Sequence, residues 1–202
     1  MKALSATAFA LVMACTSGAY AADAPAIAAR MAGEVCSKCH GINGVSPSPL
    51  FPHLAGQQAK YIENELMEFR SQTRGDPHAR AYMWGIAGPL NDAQIKGLAE
   101  YYTKKPVGHG VSSGDAALAA KGKTIFDQGD SAHNVPACAS CHGANAEGVD
   151  ATPRLAGQHG DYLIRQLEAF HRELRENETM HEVAKDITED DIRAVAEYLA
   201  SK

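Results

Sequence analysis

The sequence predicts an all-α fold written twice in one chain. Three observations carry that prediction. Apolar–polar alternation at the period of a strand is nearly absent. Blocks of residues recur at a spacing close to half the chain length. Each copy also holds one five-residue pattern, Cys36-Ser37-Lys38-Cys39-His40 and Cys138-Ala139-Ser140-Cys141-His142. At 202 residues the chain is long enough for two small domains.

The first segment stands apart from the repeat. Lys2 precedes an uncharged stretch from Ala3 to Ala22, apolar through Leu11-Val12-Met13, and Ala19-Tyr20-Ala21-Ala22 ends it with a small-x-small pattern. Residues 1–22 therefore read as an export signal cleaved near Ala21 or Ala22. Val12-Met13-Ala14-Cys15 is an imperfect lipoprotein box, so a lipid on Cys15 or an uncleaved segment held in the bilayer are the alternatives. Cleavage near Ala22 leaves four cysteines, all of them inside the two motifs.

Cys-x-x-Cys-His is the attachment pattern of a c-type haem. One turn of helix spaces the thiols to match the two vinyl groups of the porphyrin, and the adjacent imidazole is carried under the ring to the iron. Zinc would need Cys pairs converging on one ion, but these pairs lie far apart and both carry the His. A thioredoxin-like site would need a βαβ pattern, which is missing. Disulfides between the pairs would leave both histidines unexplained. The expected cofactors are thus two covalently attached haem c groups, bound through Cys36, Cys39, Cys138 and Cys141, with His40 and His142 on the irons. Attachment requires reduced thiols outside the cytoplasm, which agrees with export.

The remaining elements follow in order. Pro52-His53-Leu54-Ala55-Gly56-Gln57 recurs as Pro153-Arg154-Leu155-Ala156-Gly157-Gln158, and the helix after it repeats Tyr61, Leu66 and Phe69 as Tyr162, Leu167 and Phe170. Ile95, Leu98, Ala99 and Tyr102 recur as Ile192, Val195, Ala196 and Leu199, both at the i, i+3, i+4, i+7 spacing of one apolar helix face. Asn91 to Gln94 and Thr188 to Asp191 resemble capping boxes for those helices, and Asp115 caps a helix expected over 116–126. Residues 105–114 have the Gly, Pro and Ser content of a linker. The expected organisation is a first domain over 23–104, the linker, and a second domain over 115–202. Each core is small enough that a central haem must supply much of its apolar surface.

The opposite face of each iron decides the chemistry: a thioether raises the potential, a second His lowers it, and an open position permits catalysis. Met83 and Met180 superpose at the offset that aligns the C-terminal helices, each seven residues before Leu90 or Ile187. No distal His pair does so, since His78 falls on Arg175 and His53 on Arg154. Met83 and Met180 are therefore the expected sixth ligands, with His181 the substitute beside Met180. Met67, between Leu66 and Phe69, reads as core, and Met31 lies too near the attachment site. Pro52 and Pro153 are placed to offer a carbonyl to the ring N–H of each proximal His, or are simple turn prolines. Tyr82 and Trp84 pack on the haem edge or in the core.

Residues 23–106 carry nine basic and eight acidic groups, residues 107–202 nine basic and sixteen acidic. Such a lopsided charge can orient a molecule in a partner's field, or is a solvated acidic surface. It disfavours nucleic acid as a partner.

Two class I domains in tandem, with Cys-x-x-Cys-His, Pro-x-Leu-Ala-Gly-Gln and then a Met ahead of a capped helix, resemble the dihaem cytochrome c4 family over essentially the whole of 23–202. The stretch from Val135 to Gly143, and Gly157-Gln158-His159 with Tyr162, carry that likeness most closely. The resemblance implies a periplasmic electron carrier, not an enzyme, with His40/Met83 and His142/Met180 on the irons and domains packed about a pseudo-twofold axis. It implies redox partners, a respiratory donor and a terminal oxidase or reductase. The same residues also suit the dihaem subunit of a larger dehydrogenase, such as a sulfide-oxidising flavocytochrome. A dihaem enzyme would need unlike haems, which the near-identical repeats oppose. One departure stands out. The second domain has Gly122 and Phe126 where its terminal helices should cross closely, whereas the first offers Met31 and Gly33 with no matching aromatic.

Overall fold

The computed structural model describes residues 24–202, so the expected export signal, its cleavage point and Cys15 lie outside the described residues. In the N-terminal half, α1 (Ala24–Met31) continues through a π turn (Ala32–Cys36) into the short α2 (Ser37–His40). A loop leads to α3 (Ala59–Arg70), a second π turn (Ala79–Met83) runs into α4 (Trp84–Ala87), and α5 (Asp92–Thr103) closes the half. The C-terminal half follows with α6 (Ala116–Gln128), α7 (Ala139–His142), α8 (Gly160–His171), α9 (Glu178–Ala184) and α10 (Glu189–Ala200). Among the described residues the only β structure is two isolated bridges, Asp130 with Val135 and Val149 with Thr152. The fold is therefore all-α.

Local chemistry sets the helix starts. Asn91 accepts from the Gln94 N–H while the Gln94 side chain accepts from the Asn91 N–H, a complete capping box. Thr188 accepts from the Asp191 N–H, but its hydroxyl donates to the Asp191 carboxylate, so the reciprocal bond runs between side chains. Asp115 accepts from Ala117 and Leu118. All eight residues of the two repeated quartets on α5 and α10 are buried, each large one contributing about 1.5–3 kcal/mol of apolar burial. Met67 is a correction: it is 37% exposed, because α3 turns Ile62, Glu65 and Phe69 inward and Met67 falls on the other side.

The terminal helices of each half cross closely, by different means. On α6, a Cβ at Gly122 would stand 1.9 Å from the Ala194 carbonyl oxygen of α10, so only glycine fits. In the N-terminal half the glycine is on the opposite helix: Gly97 of α5 faces Ala28 of α1, and an added Cβ would lie 3.1 Å from the Ala28 Cβ. The first half thus places its small residue on the partner helix, and Ala32 is fully buried in its core.

The halves meet through the repeated Pro-x-Leu-Ala-Gly-Gln loops. Gly56 and Gly157 have φ of +66° and +73°, a left-handed turn that glycine adopts without strain, and each aims the following glutamine across the boundary. Gln57 accepts from the Arg154 N–H at 2.7 Å and donates to the Arg154 carbonyl at 2.9 Å. Reciprocally, Gln158 accepts from the His53 N–H at 2.8 Å and donates to the His53 carbonyl at 3.0 Å. This reciprocity is a pseudo-twofold relation. The segment joining the halves is packed into the same boundary. His53 Nε2 reaches the His109 carbonyl at 3.1 Å, and the Val111 N–H donates to His159 Nδ1 at 3.1 Å.

A buried charge cluster crosses the boundary as well. Arg74 pairs with Glu65 and with Asp76 at 2.9 Å, Arg175 pairs with the same Glu65, and both guanidinium groups donate to Gln166 Oε1 at 2.7 Å. Burial works against the Glu65 carboxylate, yet Arg175 and Arg74 hold it below the usual range. Two carboxylates against two guanidinium groups make the cluster neutral, which is how such charges are tolerated in a low-dielectric interior.

Candidate haem sites

The proximal side of each candidate site begins with a short helix carrying both cysteines and the histidine. His40 and His142 are buried. His40 Nδ1 lies 2.9 Å from the Pro52 carbonyl oxygen and His142 Nδ1 lies 3.0 Å from that of Pro153. A carbonyl only accepts, so each Nδ1 carries the proton and each Nε2 presents a bare lone pair. Neither Nε2 has a hydrogen-bond partner among the described residues. Burial pushes both imidazoles below the usual histidine range, while the proline carbonyl pulls the other way. A neutral ring with its tautomer fixed by an outer acceptor is the form that binds a metal.

All four described cysteines are free of disulfides. Cys36 packs against the N-terminal core and Cys138 against the C-terminal one, and burial pushes the Cys138 thiol up to about 11. These are apolar surroundings that suit an uncharged thioether. The disulfide alternative has no support in this geometry.

Met83, the expected sixth ligand of the N-terminal site, ends the second π turn and packs against the same core as Cys36 and Leu54. Met180 lies on α9 and packs against the cluster that holds Cys138 and Leu155. The Met180 N–H is capped by Asn177. Of the histidines weighed as distal ligands, His181 and His53 are engaged elsewhere. His181 donates from Nδ1 to the Phe170 carbonyl and sets Nε2 3.0 Å from Glu173. His53 accepts from the Ser46 N–H at Nδ1, and His159 spends Nε2 on the Ser46 carbonyl. His78 keeps a buried Nδ1 with no partner. Trp84 packs against the core and donates to the Arg74 carbonyl at 2.8 Å. Tyr82 is exposed, edge-on to Phe51, which is itself edge-on to His40.

Tested against these residues, a haem fits each site: two reduced thiols, one imidazole lone pair, and a thioether packed against the same core. Sequence reasoning picked out Gln57 and Gln158 as part of the repeat but missed their bonds to the opposite half, and missed the Glu65–Arg74–Arg175 cluster. The signal was present, because Arg74 and Arg175 stand at the same offset as the repeated glutamines.

Comparison with known proteins agrees. A family model described as Cytochrome c matches residues 26–103 and again 119–202. Cytochrome c4 of Thiocapsa roseopersicina is 37% identical over 189 residues, covering 88% of this chain and 95% of that one. A thiosulfate dehydrogenase electron acceptor of Stutzerimonas stutzeri (strain A1501) is 40% identical over 179 residues, covering 86% and 81%. The solved structure of Acidithiobacillus ferrooxidans cytochrome c4 matches with a TM-score of 0.77 at 40% identity, covering 83% of this chain and 98% of that one.

Proposed function

Since this chain belongs to the cytochrome c family, among the dihaem cytochromes c4, we propose that it is a periplasmic carrier of single electrons between a respiratory donor and a terminal oxidase or reductase. Two covalently bound haem c groups supply the chemistry, one-electron exchange at iron. In this reading Cys36, Cys39, Cys138 and Cys141 would hold the haems, and His40 with Met83 and His142 with Met180 would ligate the irons. Pro52 and Pro153 fix the proximal rings.

The observation that carries the reading is the doubled proximal geometry, the same Nδ1-to-proline bond in both halves, with one methionine packed against the core of each half. With an imidazole and a thioether both bound, neither iron would keep an open position for a substrate. No helix of the described residues is long and apolar enough to cross a membrane. The acidic excess of the C-terminal half supplies a field that can orient the molecule on a partner.

The test is resting spectroscopy together with peroxide turnover. A low-spin oxidised protein that takes up two electrons and does not turn over hydrogen peroxide supports the carrier. A high-spin resting signal or sustained peroxide turnover overturns it. The relative described as a thiosulfate dehydrogenase electron acceptor favours one second reading, a dihaem subunit that accepts electrons inside a larger dehydrogenase. Gel filtration of native periplasmic extract separates the two, because only the subunit runs as a stable complex.

A further inference from the structure

The glutamine that ends each repeated loop does more than join the halves. Each proximal histidine donates to a proline carbonyl, and the N–H of that same peptide unit belongs to the next residue. For His40 the unit is Pro52–His53: its carbonyl takes His40 Nδ1–H at 2.9 Å, and its N–H is taken by Gln158 Oε1 at 2.8 Å. For His142 the unit is Pro153–Arg154: the carbonyl takes His142 Nδ1–H at 3.0 Å, and the N–H is taken by Gln57 Oε1 at 2.7 Å. Each proximal ring is thus two hydrogen bonds from a side chain of the opposite half. Gln57 and Gln158 are both buried, so the chain is shielded from competing water.

Hydrogen bonds in series polarise one another in a low-dielectric interior. An acceptor on the peptide N–H makes its carbonyl the stronger acceptor for the imidazole N–H. The ring becomes more electron-rich without any proton leaving it, and a more basic ligand favours Fe(III). We propose that Gln158 tunes the N-terminal haem and Gln57 tunes the C-terminal haem, each across the domain boundary. They are positioning residues. The inference rests on the haem assignment above and adds to it a crossed connection: the residue that sets one iron lies in the other domain.

The experiment is a spectroelectrochemical titration of the holo-protein and of Gln158→Leu and Gln57→Leu. Met83→His assigns the waves, because a second imidazole lowers the potential of its own centre. Gln158→Leu is expected to raise the N-terminal wave, favouring Fe(II) about threefold, or about 28 mV at 59 mV per tenfold for one electron. The C-terminal wave stays in place. Gln57→Leu gives the mirror result. Gln158→Glu and Gln57→Glu keep the accepting oxygen and should not raise either wave, and they serve where a leucine variant fails to mature. A shift confined to the mutated domain, equal shifts of both waves, or no shift overturns the relay. A wild-type protein without two one-electron waves, or Met83→His that moves neither, overturns the haem assignment itself.

Discussion

An imidazole that donates from Nδ1 to a carbonyl keeps one lone pair, on Nε2, and in both halves this is the imidazole next to the second motif cysteine. The same accounting fixes two further histidines. His53 and His159 stack with centroids 4.0 Å apart at the boundary. Each accepts a backbone N–H at Nδ1 and donates from Nε2 to a carbonyl. A second proton on either ring would be set against an amide N–H. Both are held below the usual histidine range, by burial first. The groups facing them are His109 and His40 around His53, and Asp161 and Arg165 around His159. The unfolded chain therefore binds more protons than the folded one. The contribution to stability is complete above the ordinary value of about 6.5 and is lost as pH falls through the lower folded values. Denaturant unfolding of the holo-protein should show a midpoint that falls on acidification in this window, and a shallower slope for the His53→Asn/His159→Asn double variant. Equal slopes would contradict the assignment. At this scale the attachment motifs and the paired methionines were legible because each recurs at a fixed offset. The role of the glutamines was not, since a side chain that reaches the backbone of the other half leaves no local pattern.

Among the elements, the two helix crossings make the sharpest contrast. Gly122 presses on a backbone carbonyl that has no freedom to yield, whereas Gly97 faces only the Ala28 methyl group. Gly122→Ala should therefore cost about 3 kcal/mol or more through overpacking. Gly97→Ala should lie near neutral, since the gain in helix propensity, about 1 kcal/mol, offsets a shift of a few tenths of an ångström. Thermal unfolding of the two holo-variants checks this, and equal losses would contradict it. The C-terminal helices were legible from their quartets, because period and caps are local. The π turns at Ala32–Cys36 and Ala79–Met83 were not, because a phase shift confined to one turn is too short for a periodic pattern to register. Met67 was misplaced for a related reason. Glu65 occupies the buried face of α3 through Arg74 and Arg175, nine and 110 residues away, and periodicity counts a buried carboxylate as outward.

Over the whole molecule, two small cores and a polar boundary must be held by something larger than their own side chains. Much of each half is loop, and the repeated loops spend their polar groups on the opposite half instead of on a sheet. A haem bound in each half would supply the missing apolar surface. Replacing Cys36, Cys39, Cys138 and Cys141 by serine should thus leave a chain with little helix by circular dichroism, and native helicity would contradict that dependence. The duplication was legible at this scale, and the interlocking of its halves only in three dimensions. The proposed electron transfer requires two irons with like ligands, an imidazole and a thioether on each. The most direct measurement is the near-infrared spectrum of the oxidised holo-protein, where an iron–thioether bond gives a weak charge-transfer band. The predicted intensity is that of two haems, lost by half in Met83→His and by half in Met180→His; a band of one haem's strength, or none, would contradict it.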